Sequence, residues 1–190
     1  MGRRPKKSTK INREKILLAA TKLIKERGVA SISLADISAE VKISKGTLYY
    51  YYPSKSALIF DITEQNMNHM TAKIIQWIEK SKQGTKSKDI LKVVMETILK
   101  SRARGQVHLY LVQEALTDEQ LRKRFIQEYG KWSSMFEQGL DKIFPGNPEN
   151  AVLAKLMLAT AYGLLIQSLL GGEKPATDQI AGFLASTVKV

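Results

Sequence analysis

Between Ile43 and Lys55 the chain reads Ile-Ser-Lys-Gly-Thr-Leu-Tyr-Tyr-Tyr-Tyr-Pro-Ser-Lys, and no other stretch restricts the fold so tightly. Ser44 is of the type that caps a helix N-terminus, Pro53 cannot continue a helix, and Ser54 can cap a new one directly after it. The helix between them has room for only about two turns. Upstream, residues 33–41 read as another short helix with Leu34, Ile37 and Val41 on its inward face. Lys42 and Ile43 alone are left to make the turn. Two short helices joined so tightly cross one another, which is the helix-turn-helix pattern; its second helix presents its first residues to the DNA major groove.

The periodicity around this motif is helical throughout. From Asn12 to Arg27 the apolar residues Ile16, Leu17, Ala20, Leu23 and Ile24 recur at helical spacing, and Gly28 is placed to end that helix in a left-handed conformation. A long helix is expected from Ser54 to about Lys82, then a polar linker over 83–88 and a helix over 89–100. After Gly105 comes a helical segment from His108 to Leu116. Thr117, with Gln120 three residues on, predicts a capping box for a helix reaching Phe144. Pro145-Gly146-Asn147-Pro148 breaks the chain, Ala151–Leu170 forms the least charged helix, and Gly171-Gly172 stops it. A last helix runs from Gln179 to about Val188, capped by Thr177 or Asp178. With no strand-like alternation and no repeat, the expected fold is all-α: a three-helix helix-turn-helix domain over residues 1–53 and a second helical domain over 54–190.

Charge separates these two parts. Residues 1–60 hold 13 Lys and Arg against 4 Asp and Glu, so they carry +9 of the total of +12. A basic third coinciding with a helix-turn-helix pattern points to a polyanion as its partner. Gly2–Lys10 has no apolar residue to fold around and is expected to be a disordered basic arm that follows phosphates or enters a minor groove, with Arg3 and Arg4 as the groove residues. The absence of cysteine excludes disulfides and thiolate chemistry. An uncharged run over 156–172 is borderline in length for a membrane span, but Thr160, Tyr162, Gly163, Gln167 and Ser168 interrupt it. A buried helix, or one packed on a second subunit, is the better reading. With no signal-peptide pattern at the N-terminus, a soluble, cytoplasmic protein is expected.

The segment from about Asn12 to Leu58 resembles the DNA-binding domain of the TetR family of bacterial transcriptional regulators. The resemblance rests on the apolar helix ending at Arg27-Gly28, on Ser33-Leu34 followed by Asp36-Ile37, and above all on Ser44 to Lys55. It covers about a quarter of the chain. Ser31 or Ser33 is expected to cap the second helix and Ser44 the third, each turning backbone N–H groups outward where a phosphate can sit, with Ser33 and Ser44 as the candidate DNA-facing caps. By the resemblance Lys45, Gly46 and Thr47 lie at base edges, where Lys45 can donate to guanine, Gly46 allows close approach, and the Thr47 methyl or hydroxyl can meet a thymine methyl or a polar edge. Tyr49 and Tyr51 would give hydroxyls to phosphates or bases, and Tyr50 would lie over the backbone. Lys55 matches a phosphate-contacting lysine. Leu48 and Tyr52 are core positions, the family preferring Phe at the latter. Two departures stand out: Lys42 occupies a turn position often held by Gly, and Ala35 stands where a base-reading Arg is frequent.

The same resemblance implies a homodimer built from the two C-terminal helices, with Met157, Leu158, Ala161, Leu164, Leu165, Ser168 and Leu169 as the expected contact residues. A two-fold dimer reads a palindromic operator on double-stranded DNA. It also implies an unknown small-molecule effector in the second domain, for which Met70, His108, Trp132 and Tyr162 are among the candidate lining types. The protein is thus expected to be an effector-controlled regulator, by family habit a repressor; the alternative is a nonspecific nucleoid-type DNA binder. No metal-ligand spacing, nucleophile elbow or phosphate-cradling glycine loop occurs, so neither an enzyme nor a cofactor is expected.

Overall fold

The computed structural model describes residues 7–80, 85–173 and 175–187, with side chains from residue 13 onward. Among the described residues every regular element is a helix: α1 (Lys7–Arg27), α2 (Leu34–Val41), α3 (Lys45–Tyr51), α4 (Lys55–Lys80), α5 (Ser87–Leu99), α6 (Arg102–Thr117), α7 (Glu119–Ile143), α8 (Asn150–Leu169) and α9 (Thr177–Thr187). The all-α expectation holds. The helices divide into two compact units, one holding the chain up to Gln65 with Gln106–Arg122, the other Asn66–Gly105 with the chain from Lys123. Helices α4, α6 and α7 each give residues to both.

In the first unit α1 packs on α2 and α2 on α3. Ile16, Ala20, Leu23, Ile37, Leu48 and Leu58–Phe60 are buried. Each short helix is fixed by its ends. Ser33 and Asp36 form a reciprocal capping box on α2: the Asp36 N–H donates to Ser33 Oγ (3.2 Å), and the Ser33 N–H donates to Asp36 Oδ2 (2.8 Å). Gly28 (φ +81°) ends α1, its N–H donating to the Ile24 carbonyl at 2.9 Å. Lys42 ends α2 at φ +59°, the one non-glycine residue with positive φ among those described. The departure noted at this position is therefore a left-handed residue made of lysine.

The second unit is organised around α5, which packs against α9 and α8. Its core joins Met70, Ile74, Leu91, Val94, Met95, Phe136, Leu140, Leu153, Ala154, Met157, Ala181 and Leu184. Asp178, in the first turn of α9, is bridged to Lys88 (2.7 Å) and Lys92 (3.3 Å) of α5. The turn between α7 and α8 is closed by buried Asn150, whose amide donates to Asp141 Oδ1 (2.7 Å) and the Phe144 carbonyl (3.0 Å).

Three details differ from the sequence-based expectations. Helix α1 begins at Lys7, so the last four residues of the expected arm are helical; no Gly or Pro interrupts 6–27 to prevent it. Arg3 and Arg4 lie outside the described residues. Gly105 lies inside α6 rather than before it, because it serves packing: a Cβ there would stand 2.6 Å from Leu165 Cδ1 on α8. At the start of α7 the cap is Asp118, whose Oδ1 accepts from the Leu121 N–H at 2.9 Å. The Thr117 hydroxyl instead donates back to the Glu114 carbonyl (3.1 Å).

Candidate nucleic-acid interface

Helix α3 is a two-sided element. Leu48 is fully buried and anchors it, while Lys45, Gly46, Tyr49 and Tyr50 face solvent. Ser44 caps it as expected: its Oγ accepts the Thr47 N–H at 3.0 Å and lies 2.8 Å from Thr47 Oγ1. The Thr47 hydroxyl is thereby engaged at the cap, which leaves its methyl as the freer contact. The exposed first turn of α3 carries a lysine, no acidic residue, and the positive end of the helix dipole. At Gly46 an added Cβ would meet only Ser44 Oγ, at 3.9 Å. The fold itself makes no demand for glycine there.

Tyr50 is 81% exposed and Tyr49 54%, large rings held where the chain gains nothing from burying them. Tyr50 packs edge-on against half-buried Tyr51, the centroids 5.4 Å apart. Tyr52 turns inward, only 3% exposed, as expected. Its hydroxyl donates to Asp61 Oδ2 (3.0 Å) and accepts from Arg13 Nε (3.1 Å), while Arg13 Nη2 also binds Asp61. Burial, more than its polar neighbours, pushes the Tyr52 phenol up to about 12. This triad, joining α1, α3 and α4, has one sequence signal: Asp61 is an acid inside the apolar run Leu58–Ile62.

Ser33 is exposed but committed to its capping box. The Ser33 hydrogen bonds hold the Asp36 carboxyl below its ordinary range, with Arg27 adding a smaller share. Lys55 opens α4, where Ser54 Oγ accepts the Ala57 N–H at 3.1 Å. Its ammonium does not point freely outward: Nζ lies 3.4 Å from the Ala30 carbonyl and 5.0 Å from the Tyr110 ring centroid on α6. Partial burial lowers its pKa, against the pull of Glu114 and Asp36. Ser44, Lys45, Gly46, Thr47, Tyr49 and Tyr50 thus share one capped helix, with Lys55 tethered inside the same unit.

On α8, Met157, Leu158, Ala161 and Leu165 are buried within their own chain, and Leu164, Ser168 and Leu169 are half-buried. The exposed residues Val152, Leu156, Ala159, Gly163, Ile166 and Leu170 follow one another at three- and four-residue steps along the opposite side. On α9, Phe183 is 69% exposed. Helix α8 is also the one helix among those described that is long and apolar enough to cross a membrane; its other face belongs to the core described above.

Comparison with known proteins places the interface in context. Residues 16–62 match the family model described as bacterial regulatory proteins, tetR family. An uncharacterized HTH-type transcriptional regulator of Bacillus subtilis, YvdT, is 41% identical over 63 residues, 33% of this chain and 32% of that protein. The HTH-type transcriptional regulator TtgR of Pseudomonas putida is 29% identical over 107 residues, 55% of this chain and 51% of its own length. The chain therefore spans only a third to a half of the length of these relatives. The fold is shared over nearly the whole chain: the crystal structure of a putative TetR-family transcriptional regulator from Mesorhizobium loti superposes with a TM-score of 0.74 at 13% identity, covering 98% of this chain and 100% of that one.

Proposed function

We propose that this chain is a TetR-family regulator with a helix-turn-helix DNA-binding domain, a reading supported by the family-model match over residues 16–62 and by the shared fold. From that premise we propose that it is a sequence-specific repressor that binds a palindromic operator as a homodimer and responds to a small-molecule effector. The observation that carries the DNA side is the exposed N-terminal turn of α3, which holds no acidic residue. Lys45 and Gly46 stand clear of the protein there, and two exposed tyrosines follow on the same short helix. Gly46 has space that the fold does not use, and a groove wall is the surface that would use it. Lys45 reads a base edge, Tyr49 and Tyr50 meet the sugar-phosphate backbone, and Lys55 supplies a phosphate contact in exchange for its place beside Tyr110.

The exposed apolar stripe of α8, small at Ala159 and Gly163 and large at its ends, supports a second copy of the chain as partner. A membrane-facing role would need apolar residues around the whole circumference, and the exposed Lys155 and Gln167 interrupt it. Dimerisation sets the separation of two α3 helices, and an effector regulates by binding one separation more tightly than another.

The test is a footprint on the chain's own upstream DNA in the presence of competitor DNA. A protected palindrome that survives competition is expected, and uniform affinity for all sequences would sink the reading in favour of a nonspecific binder. Lys45→Ala should weaken operator binding by about 1–3 kcal/mol and relax preference at one or two base pairs per half-site. Lys55→Ala should weaken all sequences alike. Gly46→Ala should bind the operator less well while folding at least as stably.

A further inference from the structure

We draw no further inference here: the strongest candidate, the aromatic face of α7 around buried Glu128 and Trp132 with Tyr162 of α8, carries nothing because its two unserved polar atoms suit ordered water as well as any ligand and its Trp132 and Tyr162 already belong to the candidate effector lining.

Discussion

Tyr52 donates its hydroxyl to Asp61 across 3.0 Å, tying the residue that ends α3 to the second turn of α4, and Arg13 of α1 binds both partners. Helix α3 is thus held at its C-terminal end by a polar clasp and at its middle by Leu48, while its N-terminal turn stays open. Rigid support behind an exposed edge is what the proposed docking in a groove requires.

Tyr52→Phe keeps the buried ring but removes the hydroxyl that joins Asp61 and Arg13. We expect a loss of about 1–2 kcal/mol of stability, read from urea unfolding at neutral pH. The tyrosine also predicts an alkaline effect. Its folded-state pKa of about 12 lies above the ordinary 10. Above pH 10 the unfolded chain gives up a proton that the folded one keeps, so stability is complete below pH 10 and is lost as pH rises through 12. The phenylalanine variant should show a shallower loss over that window. Identical midpoints for the two proteins at pH 7 would mean that the clasp adds nothing.

Lys42→Gly should stabilise the protein. The lysine sits at φ +59°, where an L side chain is strained and glycine is not; relief of roughly 1 kcal/mol is expected. The turn's own hydrogen bonds, Lys42 N–H to the Ala39 carbonyl and Ile43 N–H to the Ser38 carbonyl, involve no side chain and survive the change. A midpoint in urea no higher than that of the wild type would contradict the strain.

His108 on α6 is buried, and burial alone lowers its pKa from 6.5 to about 4. Below pH 6.5 the unfolded chain takes up a proton that the folded one refuses. Stability is therefore complete above pH 6.5 and is lost as pH falls through 4. His108→Gln should remove this component. The check is the drop in unfolding free energy from pH 7 to pH 5, which should be smaller in the variant; an equal drop in both proteins would contradict the buried neutral histidine.

What the sequence made legible was local. Ser44 and Ser54 cap their helices as read, because a cap is decided within three residues. Gly28 and Pro53 punctuate for the same reason. Gly105 was opaque because its glycine answers to Leu165, sixty residues away. Thr117 and Asp118 are adjacent residues of capping type, and only the path of the chain chooses between them. The Arg13–Tyr52–Asp61 clasp joins residues 39 and 48 positions apart, beyond any periodicity. On α8 the difficulty is different: apolar residues occupy both the buried and the exposed side of the helix, so the pattern does not distinguish the face that packs inward from the face left outside.

That outward face yields the prediction on assembly. Val152, Leu156 and Ile166 on α8, Leu170 just past its C-terminal end and Phe183 on α9 are large apolar side chains left in water, whereas Met157, Leu158, Ala161 and Leu165 are consumed by the chain's own core. Charges placed on the outward residues should separate subunits without unfolding them, since each substituted side chain already faces solvent. Leu156→Glu and Phe183→Glu are therefore expected to keep the wild-type helix content and melting behaviour at high dilution, yet to run as monomers in sedimentation where the wild type is expected to run as the proposed dimer. A monomer presents one α3 helix at a time, so both variants should also protect half-sites weakly rather than a palindrome. Met157→Glu should differ in kind, placing a charge in the core and losing the fold itself, at a cost of several kcal/mol. Were Leu156→Glu and Phe183→Glu both to remain dimeric with an undiminished footprint, the partner surface would have to lie away from these two helices.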